Sequence, residues 1–306
     1  EVIGAFIATG VLMLVLGLSG WVRRCTEAAP MPIVMAMVAG VFLRFGLDLV
    51  RAVHQDLAVA GPMVLAFVVL SARPGIARRL PPMIGTLIVG AAAVALSGRF
   101  AWPVDAGLAI VPPTLYAPAF SAAVLLELVV PLAVTVLLVQ NGQGFAVLKA
   151  AGHEPPVNVV TLACGLTSVA IAFVGAVSTC LTGPTNALVS SSGERARHYT
   201  GAVFVGLLAI VFGLLSAGVT SVMLALPKAF IAVLAGLAML RVLHGAFATA
   251  FRDRFAIGAL TSFLVTVADL PIAGIGAPFW GLVAGFAVSW AMERGDFETP
   301  TGGAAR

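Results

Sequence analysis

The stretch Val174-Gly-Ala-Val-Ser-Thr-Cys-Leu-Thr-Gly-Pro-Thr-Asn-Ala-Leu-Val-Ser-Ser-Ser192 breaks an otherwise oily sequence with small and hydroxylated residues. It reads as an interrupted membrane helix. Thr182 or Gly183 suits an N-cap and Pro184 the first helical position, so a short half-helix is expected there, with free N–H groups at Thr185 and Asn186. In lipid an unpaired backbone group costs roughly 2–7 kcal/mol, so non-helical chain survives only where protein or a water-filled cavity satisfies it. A break at membrane depth therefore marks a candidate substrate site.

The surrounding composition supports the membrane reading. Of 306 residues, 60% are hydrophobic and 10% charged, with a mean hydropathy of +1.09. This lies far from soluble globular composition and specifies an all-α polytopic membrane protein. A net charge of +4 suggests no nucleic-acid partner, because no basic run with interleaved aromatics occurs. Cys25, Cys164 and Cys180 lack metal-ligand spacing and read as small apolar residues rather than a metal site or disulfide framework. The sequence calls for no cofactor.

Apolar runs fall at about 2–22, 31–50, 57–70, 82–96, 124–147, 157–174, 200–224, 227–243, 255–267 and 271–291. With the broken element they predict about eleven transmembrane segments. The proline-rich run 101–120 is expected to be interfacial or loop. Counting Lys and Arg on alternate sides places Arg23, Arg24, Arg73, Arg78, Arg79, Lys149, Arg195, Arg197, Arg241, Arg252, Arg254, Arg294 and Arg306 on one side. The other side holds Arg44, Arg51, Arg99 and Lys228. The first side is cytoplasmic by the positive-inside rule, and with it the C-terminus, whose tail 294–306 reads as disordered.

An internal repeat organises the chain. Gly17-Leu18, Pro32, Ala39-Gly40 and Leu43-Arg44 recur as Gly213-Leu214, Pro227, Ala235-Gly236 and Leu240-Arg241. The two copies enter the membrane from opposite sides, the inverted arrangement common in secondary transporters. The sequence thus divides into 1–123, the remainder of a first repeat with gate-type helices and the interfacial segment, and 124–293, a second repeat holding the broken helix at 174–192. The second copy has about three crossings before Gly201 and the first only three residues before Gly4, so the fold is expected to lack about its first three helices.

Polar residues inside the apolar segments are the candidate chemistry. Gln140, Asn141 and Gln143 crowd one turn of a spanning helix, where amides serve either a substrate or a partner helix. Gly142 and Gly144 permit close backbone approach. With Ser178, Thr182, Thr185 and Asn186 of the broken stretch, these amides form the candidate substrate-binding set. Glu127 and Asp269, the acids most embedded in apolar sequence, are the candidates for proton coupling, against solvated boundary acids as the alternative. Gly17-Leu18-Ser19-Gly20 matches the Gly-x-Ser-Gly pattern of intramembrane serine proteases, with His244 later in the chain. A helix-end serine among small residues explains it better.

Several stretches together resemble the benzoate/proton symporter (BenE-type) family. They are Trp21-Val-Arg-Arg24 followed by Ala39-Gly-Val-Phe-Leu-Arg-Phe-Gly46, Pro131-Leu-Ala-Val134 through Gln140-Asn-Gly-Gln-Gly144 to Ala150-Ala-Gly-His-Glu-Pro-Pro-Val-Asn158, and Ala277-Pro-Phe-Trp-Gly-Leu-Val-Ala-Gly285. The resemblance implies a seven-plus-seven inverted-repeat fold in which two broken helices meet at a central site. It further implies proton symport of benzoate or a similar small aromatic carboxylate across the bacterial inner (cytoplasmic) membrane, by a non-enzymatic protein in a lipid bilayer. A homodimer stays open. The family's His and Asn before the second half-helix are Val177 and Cys180 here, which leaves the particular carboxylate open. An anion channel, or a transporter of another anion on the same fold, is the alternative.

Overall fold

The computed structural model describes residues 1–77, 79–98, 100, 110–191 and 193–298. Among these the chain is helical: α1 (Val2–Ser19), α2 (Trp21–Ala28), α3 (Met31–Gln55), α4 (Leu57–Ser71), α5 (Pro82–Leu96), α6 (Ala122–Ala150), α7 (Val157–Ala172), α8 (Gly183–Ser190), α9 (His198–Leu214), α10 (Ser216–Ala225), α11 (Lys228–Ala250), α12 (Ala256–Ala268), α13 (Ala277–Met292) and α14 (Arg294–Glu298). Five helices are long and apolar enough to cross a membrane, α1, α3, α6, the 195–214 segment containing α9, and α11; six shorter apolar helices of 10–17 residues accompany them.

Element ends follow local chemistry. The run expected at 2–22 stops at Ser19, because Gly20 takes a left-handed conformation (φ 69°) and turns the chain into the amphipathic α2. The run expected at 200–224 divides at Leu215, where the Leu214 carbonyl accepts the Val111 N–H at 3.1 Å. In the segment expected to be interfacial, residues 101–109 lie outside the described part, and 110–120 run without helix, tied by Tyr116 N–H to the Phe173 carbonyl at 2.8 Å. Helix α6 contains two wider π turns, Leu125–Val129 and Thr135–Gln140. Pro131 follows the first and has no N–H to offer the carbonyl one turn back, which favours local rewinding.

Two compact units emerge, and neither is a half of the sequence. One comprises Glu1–Val41, Pro113–Arg195 and Val242–Arg306; the other comprises Phe42–Pro112 and Ala196–Arg241. In the second, Leu49, Val59, Met63, Val94, Phe230 and Val233 form the core, with Gly90 letting Phe230 and Met63 close onto α5. In the first, Met13, Val22, Val136, Leu137, Phe145, Val157 and Cys164 pack together.

Small residues set the helix crossings of the first unit, as expected where lipid tails compete with apolar side chains and close van der Waals packing drives association. Gly10 of α1 and Gly165 of α7 face each other, and a Cβ on either would lie 3.0 Å from the other's carbonyl oxygen. Gly258 of α12 and Gly285 of α13 approach more closely still, with the corresponding distances 2.6 and 2.7 Å, and Gly281 admits the Thr266 hydroxyl.

The tail expected to be disordered begins as a helix. Phe297 of α14 packs on Phe255, Phe286 and Trp290, and Asp296 accepts the Phe255 N–H at 2.7 Å, so burial of an aromatic and capping of α12 order residues that composition alone reads as solvated. Residues 299–306 lie outside the described part. Glu293 completes the cap. Its carboxylate accepts the N–H groups of Ile257 (2.8 Å) and Gly258 (3.0 Å) and the Ser289 hydroxyl (2.6 Å). Burial alone would raise its pKa, but these bonds, with a further one from the Ala256 backbone, hold it below the ordinary carboxylate value.

Two outcomes test this packing. Gly165→Leu is expected to lower thermal stability in detergent by roughly 1–3 kcal/mol, the range for overpacking. Gly206→Leu should change it by less than about 0.5 kcal/mol, because a Cβ there meets nothing within 4 Å. Glu293→Gln should cost about 0.5–2 kcal/mol at pH 7, the range for a lost N-cap. Because the folded-state pKa is depressed, that difference is fully present above the unfolded value near ~4.3 and vanishes as pH falls through the lower folded value. A denaturation series of both proteins from pH 7 to pH 3 reads it.

Candidate functional site

Residues 176–182 run without helix between α7 and α8, so apart from the Ala176 N–H, which closes onto the Ile171 carbonyl at 3.2 Å, their N–H groups have no partner within a helix. Side chains of the neighbouring helices supply them. Leu181 N–H donates to Asn141 Oδ1 at 2.7 Å, and the Leu181 carbonyl rests over Gly144, where any Cβ would collide with it. Thr179 N–H donates to Ser168 Oγ at 2.9 Å, and the Thr179 hydroxyl donates to the Cys164 carbonyl at 3.0 Å beside the Thr167 hydroxyl at 2.6 Å. Helices α6 and α7 thus hold this segment from two sides. Each such bond contributes only about 0.5–1.5 kcal/mol net, but leaving the group unmade costs more.

The half-helix forms where the sequence places it. Helix α8 spans Gly183–Ser190 with Thr182 as N-cap and Pro184 in the first turn; the Thr182 hydroxyl makes no capping bond. One expectation is corrected. The Asn186 N–H is not free: it lies four residues after the N-cap, so it makes the first intrahelical bond, to the Thr182 carbonyl at 3.3 Å. The Asn186 side-chain Nδ2 donates to the same oxygen at 2.7 Å. Pro184 has no donor, so the N–H groups of Gly183 and Thr185 form the open end of the helix.

The amides of α6 divide by task. Asn141 is fully buried and spends its oxygen on Leu181, leaving its Nδ2 without a protein partner among the described residues. Ser178 is buried with its Oγ likewise unpartnered. Gln140 is half-buried and Gln143 is buried, and neither side chain bonds a described residue. Thr185 is exposed, and Thr182 and Asn186 are half-buried.

The structure does not bring Glu127 to these groups. It sits exposed in the first π turn, 13 residues before Gln140, about 20 Å along the helix axis. Asp269 ends α12 in a left-handed conformation (φ 54°) and is exposed. Ser19 donates to the Leu16 carbonyl at 2.9 Å and accepts the Trp21 N–H at 3.3 Å, so its hydroxyl is occupied in closing α1. The sequence reading passed over Thr167, Ser168 and Thr179; the usable signal was the pair of hydroxyls inside the apolar α7, facing a segment that must find donors and acceptors.

The inner membrane protein YdcO of Escherichia coli is 32% identical over 289 residues, covering 93% of this chain and 73% of that protein. The benzoate membrane transport protein of Acinetobacter baylyi is 28% identical over 292 residues, covering 93% of this chain and 72% of that protein. The sequence profile of the family described as "Benzoate membrane transport protein" matches residues 1–291. A polytopic helical chain with an interrupted helix braced by amides and hydroxyls, matched over nearly its whole length, belongs to the benzoate membrane transport protein family, whose members are membrane transporters and not enzymes.

Proposed function

We propose that the protein is a proton-coupled symporter of benzoate or a similar small aromatic carboxylate in the bacterial inner membrane, with the carboxylate bound at the open N-terminus of α8. The observation that carries this reading is the open helix end that follows a segment bonded to Asn141, whose neighbours Gln140 and Gln143 are spanning-helix amides that no described residue engages. A helix N-terminus favours an anion through its unpaired N–H groups and its dipole, by about 0.3–1 kcal/mol in exposed positions and more when desolvated. Gly183 and Thr185 N–H meet the carboxylate, Gln140 and Gln143 orient it, and Ser178, Thr182 and Asn186 complete the polar wall. Asn141 acts from behind, by fixing Leu181.

An inverted-repeat architecture is supported by the order of elements. Helices α1, α2 and α3 have 18, 8 and 25 residues, and α9, α10 and α11 have 17, 10 and 23. Gly17 and Gly213 lie at the ends of the first helices of these triplets, and Gly40 and Gly236 inside the last. The substrate's name comes from the Acinetobacter relative and the inner membrane from the Escherichia coli one. Of the acids, Glu127 is the preferred proton carrier, since π turns recur at functional positions of helices; Asp269 is the second candidate. The positive-inside count places Arg294 and the C-terminus in the cytoplasm.

Uptake of labelled benzoate into proteoliposomes under an inward proton gradient tests the proposal. Gradient-dependent uptake that an uncoupler collapses is expected. Gln140→Leu should lower it at least tenfold with insertion and thermal stability unchanged, since that amide bonds no described residue. Uptake at wild-type rate in Gln140→Leu removes the site, and uptake indifferent to the uncoupler removes proton coupling.

A further inference from the structure

Helix α6 carries a second feature on the side away from Gln140. Leu138, Gly142, Ala146 and Lys149 repeat every three to four residues and line a half-open cavity of about 870 Å³ with residues of α2, α3 and α13, including Ile33, Leu282 and Phe286. Gly142 and Gln140 lie about 160° apart around the axis, so this cavity and the amide site use opposite faces of one helix. All of its wall belongs to the first compact unit.

Its chemistry is uneven from end to end. The walls are largely apolar, and the charged groups at the rim are Glu27, Lys149, Arg254 and Asp296. Glu27 is neutralised by Arg23 at 2.7 Å, and Asp296 faces Arg254 at 3.9 Å while accepting the Phe255 N–H. Lys149 pairs with no acid among the described residues. A cation thus stands at the end of an apolar trough whose α6 wall, Leu138 to Lys149, runs about 16 Å. The volume lies near the top of the ~300–1,000 Å³ range of small-molecule sites, far more than one aromatic ring fills.

We propose that this cavity is a binding site for an anionic phospholipid, with the headgroup phosphate on the Lys149 ammonium and an acyl chain laid along Leu138, Gly142 and Ala146. A single ammonium at the end of an apolar trough matches a molecule that is charged at one end and aliphatic along its length. Basic pockets between spanning helices recognise lipid headgroups by this combination. Gly142 is the sensitive wall position, because a Cβ there meets nothing within 4 Å and a larger side chain projects into the trough without disturbing packing.

The test is thermal unfolding of the delipidated protein in detergent, titrated with dioleoylphosphatidylglycerol, dioleoylphosphatidylcholine or benzoate. Phosphatidylglycerol is expected to raise the Tm of the wild-type protein by several degrees, and phosphatidylcholine by much less. Lys149→Glu should abolish the phosphatidylglycerol shift through the headgroup, and Gly142→Leu through the chain. Both variants should keep the wild-type Tm without lipid. Equal shifts from the two lipids, or a phosphatidylglycerol shift retained in both variants, overturns the proposal. A benzoate shift that Gly142→Leu removes while phosphatidylglycerol has no effect assigns the cavity to the carboxylate instead and also overturns it.

Discussion

A seven-residue non-helical segment inside a helical membrane protein depends on one constraint, that every backbone group removed from a helix must find another partner. Leu181 meets it through its N–H, which reaches Asn141, while the absence of a side chain at Gly144 makes room for its carbonyl. The open end of α8 exists because of this arrangement. With Leu181 held by α6, and Thr179 by Ser168 and the Cys164 carbonyl, the chain cannot regain helix before Gly183. The donors of Gly183 and Thr185 then have no preceding turn to bond. The open end of the half-helix is a by-product of where its predecessor is anchored.

The same logic explains why the polar residues of α6 differ in role although they are neighbours. Asn141 looks like Gln140 and Gln143 in composition, yet its oxygen is committed to the backbone of another element. The glutamines have longer side chains and no such commitment. In apolar surroundings an amide must be satisfied by something, so amides left open by the protein mark where a ligand or water completes the bonding.

Much of this was legible in the sequence. The break at 174–192 reads directly, because Gly183-Pro184 after Thr182 has few other meanings within an apolar run. The amide cluster and the helical class follow as plainly from hydropathy. The free Asn186 N–H was misplaced because the cap had not been fixed to one residue: with Thr182 as N-cap, Asn186 is the first residue whose N–H is bonded within the helix. The order of α14 was hidden because Phe297 is a single aromatic in a polar tail, and only its meeting with Phe255, Phe286 and Trp290 stabilises the turn. The division at Leu215 depends on Val111, more than 100 residues away, which no local pattern reveals. The compact units interleave segments from both halves of the chain, so a reading by consecutive halves could not have anticipated them.

The two wide turns in α6 carry a geometric consequence. A π turn accommodates one more residue than an α turn, so each acts as a phase shift of about 100° in the helix: after both, everything beyond Gln140 is rotated by about 200° relative to what an unbroken α-helix from Ala122 would present. Asn141 meets Leu181, and Gly142 and Lys149 share another wall, only in that rotated phase. Rewinding the turn between Thr135 and Gln140 as ordinary α-helix with every residue kept would move all the side chains beyond it out of register, whereas removing one residue there lets the turn close as α-helix and leaves them in phase. The winding of this helix is therefore under the same constraint as its composition.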